Sequence, residues 1–186
     1  HPNQVLYADF LGPLRLSRGR GLRHLLILVD GFTRMVQVKM TKQPSEEAVI
    51  SSLKQWWQST VWQQGPIQSL FTDQAQAFKG RQIKAFCRNH QIWQLYSPAY
   101  TPHCNGLAER QVGNVKARLR KMLAEATEDI SVTYLSEVIN NAVNKSINYT
   151  PNELYWGLKR DGTFASQDTL EEWRSDARRR NWLSRS

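Results

Sequence analysis

Asp9 stands between Ala8 and Phe10 in the apolar run QVLYADFL. A carboxylate is a poor β-former there and would be half buried, so its presence calls for a chemical reason. Asp73 closes a second apolar run, PIQSLFTD, at the carboxyl end of a strand, a favoured place for functional side chains in α/β sheets. Glu109 sits at the start of the long basic segment NGLAERQVGNVKARLRK. Alone it is an acid facing the positive end of a helix dipole, worth up to about 1 kcal/mol. Its meaning changes only if other acids converge on it. Clustered carboxylates repel one another in low dielectric unless a cation neutralises them, and hard oxygen ligands suit Mg²⁺ or Mn²⁺. In a basic chain that combination points to metal-assisted chemistry on phosphates. Two ions about 4 Å apart would stabilise the attacking and leaving oxygens of an in-line displacement.

The elements that must position these acids read as follows. Gln4 to Leu11, Arg23 to Asp30 and Arg34 to Met40 are β-rich runs, with the glycines of SRGRG (Ser17 to Gly21) and the turn DGFT between them. Their order predicts an antiparallel meander. Pro44 and Ser45 mark a helix start, Glu46 and Glu47 fill its first turn, and apolar residues at 49, 50, 53, 56, 57 and 61 keep helical spacing. A short strand from Pro66 to Asp73, a helix through GRQIKAFCRNH and a strand from Ile92 to Ser97 continue a βαβαβ pattern. Helices are expected from about Gly106 to Ala126 and from about Val132 to Ile147. The expected fold is α/β: a five-stranded mixed sheet, three antiparallel strands then two parallel, with helices on both faces. If the first and fourth strands are parallel neighbours, Asp9 and Asp73 lie side by side.

Three segments, LYADFLGPL around Asp9, FTDQAQAF around Asp73 and YSPAYTPHCNGLAER ending at Glu109 with one residue beyond it, resemble the catalytic core of retroviral and LTR-retrotransposon integrases. These belong to the wider DDE transposase group with a ribonuclease H-like fold. Residues 74 to 108 leave 35 between the second and third acids, as in that family's D,D-35-E arrangement. ILVDGFTRMVQV and NYTPNELYWG are similar to two further family landmarks, so the resemblance runs from about Gln4 to Gly157. It implies a catalytic core over residues 1–157, followed by a charged extension, 158–186, forming a peripheral helix or a linker. It further implies Asp9, Asp73 and Glu109 as ligands of two Mg²⁺ or Mn²⁺ ions, with Asp9 bridging them. The implied reactions are hydrolysis at a DNA 3′ end and transfer of the new 3′-hydroxyl to target DNA. A homodimer or higher oligomer is implied as well, and work in the nucleus follows from the substrate.

The charge balance fits a polyanion partner: 25 Lys and Arg against 16 Asp and Glu give a net charge of +9, with a sequence pI near 9.8. Lys116 and Arg120 follow Glu109 by seven and eleven residues, on about the same helical face. They are candidate DNA-phosphate contacts, as are Asn105 and Arg110 beside Glu109. The plainer reading makes Arg118, Arg120 and Lys121 a solvated face. No apolar run reaches the roughly 18 residues that would cross a bilayer, so no membrane partner is expected. Two cysteines and no recognisable secretory leader suggest a reducing compartment.

Other residues have mainly structural readings. Cys87, His90, His103 and Cys104 do not form a good zinc set, because the adjacent pair His103 and Cys104 rarely suits one tetrahedral ion. No zinc is expected, and Cys87 reads as a small core residue. Asp30 before Gly31 reads as a turn former. Trp56, Trp57 and Trp62 have the spacing of core or dimer-interface residues. Ala75 replaces a glycine usual in the family, which implies strain or a changed loop if the backbone there has positive φ. His103 and Cys104 depart from the family's usual Gln and Ser. These changes keep open an alternative function: a domesticated integrase-like domain, weakened or inactive in catalysis, that binds nucleic acid or protein.

Overall fold

The computed structural model describes residues 1–15, 22–97, 106–125 and 131–183, without the side chains of Arg15, of residues 106–111, or of Trp182 and Leu183. Five strands form one sheet: β1 (Val5–Arg15), β2 (Leu22–Asp30), β3 (Val36–Thr41), β4 (Ser69–Thr72) and β5 (Trp93–Tyr96). They lie in the order β3-β2-β1-β4-β5. The first three are antiparallel neighbours, whereas β4 runs parallel to β1 and β5 parallel to β4. The helices are α1 (Glu46–Gln64), α2 (Gln76–Lys79), α3 (Arg81–Asn89), α4 (Gly106–Glu125), α5 (Val132–Asn140), α6 (Pro151–Trp156) and α7 (Gln167–Leu183).

Both faces of the sheet are covered, which explains the unbroken apolar run of β2. Leu26 and Leu28 point to one side with Leu6 and Ala8, meeting Val49, Leu53 and Trp56 of α1 and Ile83, Phe86 and Cys87 of α3. Leu25, Ile27 and Val29 point to the other, where Val112 and Leu119 of α4 and Leu135 and Ile139 of α5 cover them. The alternation of β1 places Leu11 on the α4 face and, by parity, Asp9 as well. A third cluster joins Ile147, Leu154 and Ala177 to Phe32, Tyr149 and Trp173, holding α7 against the C-terminal end of the core.

Polar groups fix the frame at two points. Asp30 is fully buried and accepts from the amides of Asn3 (2.7 Å), Phe32 (3.2 Å) and Thr33 (2.7 Å) and from the Thr33 hydroxyl (2.7 Å). Burial pushes its pKa up, and those hydrogen bonds oppose the shift. Its turn-forming reading agrees with this geometry. On β3, an edge strand, Asn140 accepts from the Val36 amide and donates to the Val36 carbonyl, both at 2.8 Å. Backbone that would face an open edge is thereby paired by a helix side chain.

Some sequence expectations need correction. The second late helix stops at Asn140 instead of reaching Ile147, because Asn144 accepts from the Ser146 amide and hydroxyl and bridges to Tyr149, turning the chain away. Ile147 is buried, but in the third cluster and not on a helix. The fourth strand is shorter than the run Pro66 to Asp73, and α2 and α6 add two short helices. Trp56 is a core residue and Trp57 packs at its margin, whereas Trp62 is 93% exposed and belongs to no core. Cys87 is buried, with its thiol pKa pushed up to about 11, and His90 stacks beside Phe86 and Trp57. The SRGRG connection falls outside the described residues.

Candidate active site

The register between β1 and β4 brings the first two acids together. Ala8 pairs with Thr72, so Asp9 and Asp73 are the next residues along two parallel strands. Asp9 remains inside β1, whereas Asp73 has just left β4 and stands exposed. Both line one cleft of about 290 Å³, with Tyr7, Phe71, Thr72, Ser97, Gly113 and Lys116 among its walls.

Each carboxylate is oriented locally. Asp9 Oδ1 accepts from the Phe10 amide at 2.7 Å, and Oδ2 pairs with Lys116 Nζ from α4. Asp73 Oδ1 accepts from the Ala75 amide at 2.9 Å, bracing the start of α2. Ala75 has φ −60° and ψ 147°, ordinary extended backbone. The expected strain is therefore absent: this turn uses negative φ, which alanine adopts as readily as other residues.

Glu109 lies in the first turn of α4, as its sequence position suggested, but its side chain is outside the described residues, as is that of Arg110. Asn105, His103 and Cys104 lie outside them entirely. Arg120 is exposed, one turn beyond Lys116. Lys116 is engaged by Asp9 rather than extended into solvent, which the helical-face argument did not foresee. Sequence reasoning also missed the cleft floor, where Tyr7 and Phe71 meet with ring centroids 5.5 Å apart. The signal was present in strand parity, since residues 7 and 9, and 71 and 73, share faces.

The donor set fits a hard divalent ion in part: two carboxylates share one cleft, and a cationic amine already offsets the charge of one. Among the described residues no group of three acidic, histidine or cysteine side chains is found. The third acid of the proposed set, Glu109, is not among the described side chains.

Comparison with known proteins agrees with this architecture. The model of the integrase core domain family matches residues 1–102, more than half of the chain. The chain belongs to the integrase core domain family. Among its relatives, the Pro-Pol polyprotein of simian foamy virus type 3 is 30% identical over 91% of this chain, and that of feline foamy virus is 29% identical over 91%. The chain spans only 14% of each of those polyproteins. The fold is that of solved integrase cores. A chain of the simian T-cell lymphotropic virus intasome, in complex with PP2A regulatory subunit B56 gamma, matches with a TM-score of 0.67 at 21% identity, over 89% of this chain and 58% of that one. The HTLV-2 integrase catalytic core domain, in a dimeric form with magnesium, gives 0.61 at 20% identity, over 83% and 95%. The ribonuclease H-like fold expected of an integrase core is thus the one observed, with its five-stranded mixed sheet and helices on both faces.

Proposed function

We propose that this integrase core is a polynucleotidyl transferase acting on DNA ends, with Asp9, Asp73 and Glu109 as its metal-ligating acids. The observation that carries the proposal is the register of β1 and β4, which sets two strand-borne carboxylates side by side in one open cleft of a chain with net charge +9. Mg²⁺ or Mn²⁺ bound there supplies Lewis acidity to the attacking and leaving oxygens. Asp9, inside β1, and Asp73, just beyond the end of β4, provide hard oxygen ligands, and Ala75 keeps Asp73 aimed through its amide. Tyr7 and Phe71 form an apolar floor beneath the reacting phosphodiester. Lys116, Arg120, Arg110 and Asn105 grip the flanking phosphates. In the first reaction a water oxygen attacks phosphorus and the bond to the departing 3′-oxygen breaks, leaving a free 3′-hydroxyl. In the second that hydroxyl attacks a target phosphodiester, and the target's 3′-oxygen leaves. The protein works as a homodimer or larger assembly on nuclear DNA.

The reading as a decayed domain rested in part on strain or a changed loop at Ala75, and the negative φ there removes the strain. The direct test incubates labelled duplexes with the protein and Mn²⁺. End trimming or joining is expected from wild type and should fall at least about 100-fold in Asp73→Asn and Glu109→Gln, the scale lost with one electrostatic stabiliser. Product formation unchanged by both substitutions would overturn the assignment.

A further inference from the structure

Lys116 has a role beyond gripping a phosphate. Both oxygens of Asp9 are taken: Oδ1 by the Phe10 amide and Oδ2 by Lys116 Nζ. A divalent ion ligated by Asp9 through Oδ2 would stand beside the ammonium, and repulsion between the two cations drives the amine away. The pair is mostly screened from water, with side-chain exposures of 19% for Lys116 and 28% for Asp9, so it forms a held contact and not a passing surface encounter. An escape route exists along α4. Helical side chains lean toward the N-terminus, so Lys116 overlies the turn containing Gly113. Gly113 also lines the cleft, and a Cβ placed there would meet no atom of the described residues within 4 Å. Among the described residues, the space over Gly113 leaves the lysine room to turn away from Asp9.

We propose that Lys116 occupies the cation position at Asp9 until a divalent ion displaces it, and that displacement frees its amine for a DNA phosphate. This rests on the metal-site reading above. Metal and DNA binding become coupled: without the ion, Asp9 is neutralised and Lys116 is withheld from DNA. With the ion bound, one further phosphate contact becomes available.

Calorimetric titration of the protein with Mn²⁺ tests this without reference to activity. Lys116→Met is expected to bind Mn²⁺ about three- to fivefold more tightly than wild type, the scale of losing one competing ion pair. Arg118→Met removes the same charge from an exposed position on α4 and should leave affinity within about twofold. Lys116→Gln repeats the test if the methionine variant melts early by circular dichroism. Equal or weaker binding by the Lys116 variants, alongside Asp73-dependent binding in wild type, overturns the displacement while leaving the metal site standing. Absence of any Asp73-dependent binding overturns both. A second readout is the salt dependence of duplex binding. Adding Mn²⁺ should steepen its slope by about one phosphate contact in wild type and not in Lys116→Met. An equal change in the two proteins contradicts the proposal.

Discussion

Asp9 and Asp30 are both acids on apolar strands, and their surroundings give them different work. Asp30 is sealed in and saturated by four donors, so it holds the β2–β3 turn and the N-terminal segment together. Asp30→Ala would leave the Asn3 and Thr33 donors buried without an acceptor. A loss of about 3 kcal/mol is expected, measurable by urea unfolding. Asp9 instead opens onto a cleft, with one oxygen held by a neighbouring amide and the other by the Lys116 amine. The exposed candidate, Asp73, was legible from its place at a strand end, and Asp9 from the oddity of an acid between Ala8 and Phe10. The Lys116–Asp9 pair was not legible. It depends on how α4 is rotated over the sheet, and sequence spacing fixes only which residues share a helical face. Strain at Ala75 was conditional on a positive φ, and residue type alone could not decide that condition, because a backbone angle depends on the whole turn.

At the scale of elements, several helices are tied by residues whose partners are distant in sequence. Glu46 reads as a first-turn acid of α1, yet its Oε2 accepts from the amides of Gln82 (2.8 Å) and Ile83 (3.1 Å), capping α3. A Cβ on Gly80 would lie 1.8 Å from that carboxylate. Gly80→Ala should displace the flexible Glu46 side chain and cost about 1 kcal/mol, the usual value of a lost cap, visible as a lowered denaturation midpoint. In α7, Asp176 accepts from Arg179 (2.8 Å) and Arg180 (2.7 Å), which hold its pKa down at about 2. A depressed acid stabilises above its unfolded pKa of 3.8 and loses that contribution as pH falls through about 2. Because these arginines are solvent-exposed, Asp176→Asn should cost only about 1 kcal/mol at pH 7. Unfolding at pH 7 and pH 3 should show that difference shrinking. The helical spacing of apolar residues in α1 and its start after Pro44 and Ser45 were visible in sequence, whereas the capping of α6 by Thr150 and Glu153 was not read there. The end of α5 was not, since apolar spacing continues to Ile147 while the turn at Asn144 carries the chain into a different cluster.

Across the whole molecule, one topological fact organises the rest: β4 lies beside β1 and parallel to it, bringing residues 64 positions apart in sequence into one cleft. An antiparallel meander followed by two parallel strands was expected from pattern and family resemblance, and β1 beside β4 only as a condition; the observed order β3-β2-β1-β4-β5 meets that condition. The same topology sets the cleft, among the described residues, beside the carboxyl ends of β4 and β5. The central claim is that this cleft, through Asp9 and Asp73, holds divalent metal. The most direct measurement is anomalous diffraction from crystals of the protein soaked in Mn²⁺. An anomalous peak within coordination distance of both carboxylates, about 2.0–2.4 Å, is predicted, and it should disappear in Asp73→Asn. Manganese bound only elsewhere, or bound at this cleft regardless of Asp73, would contradict the account.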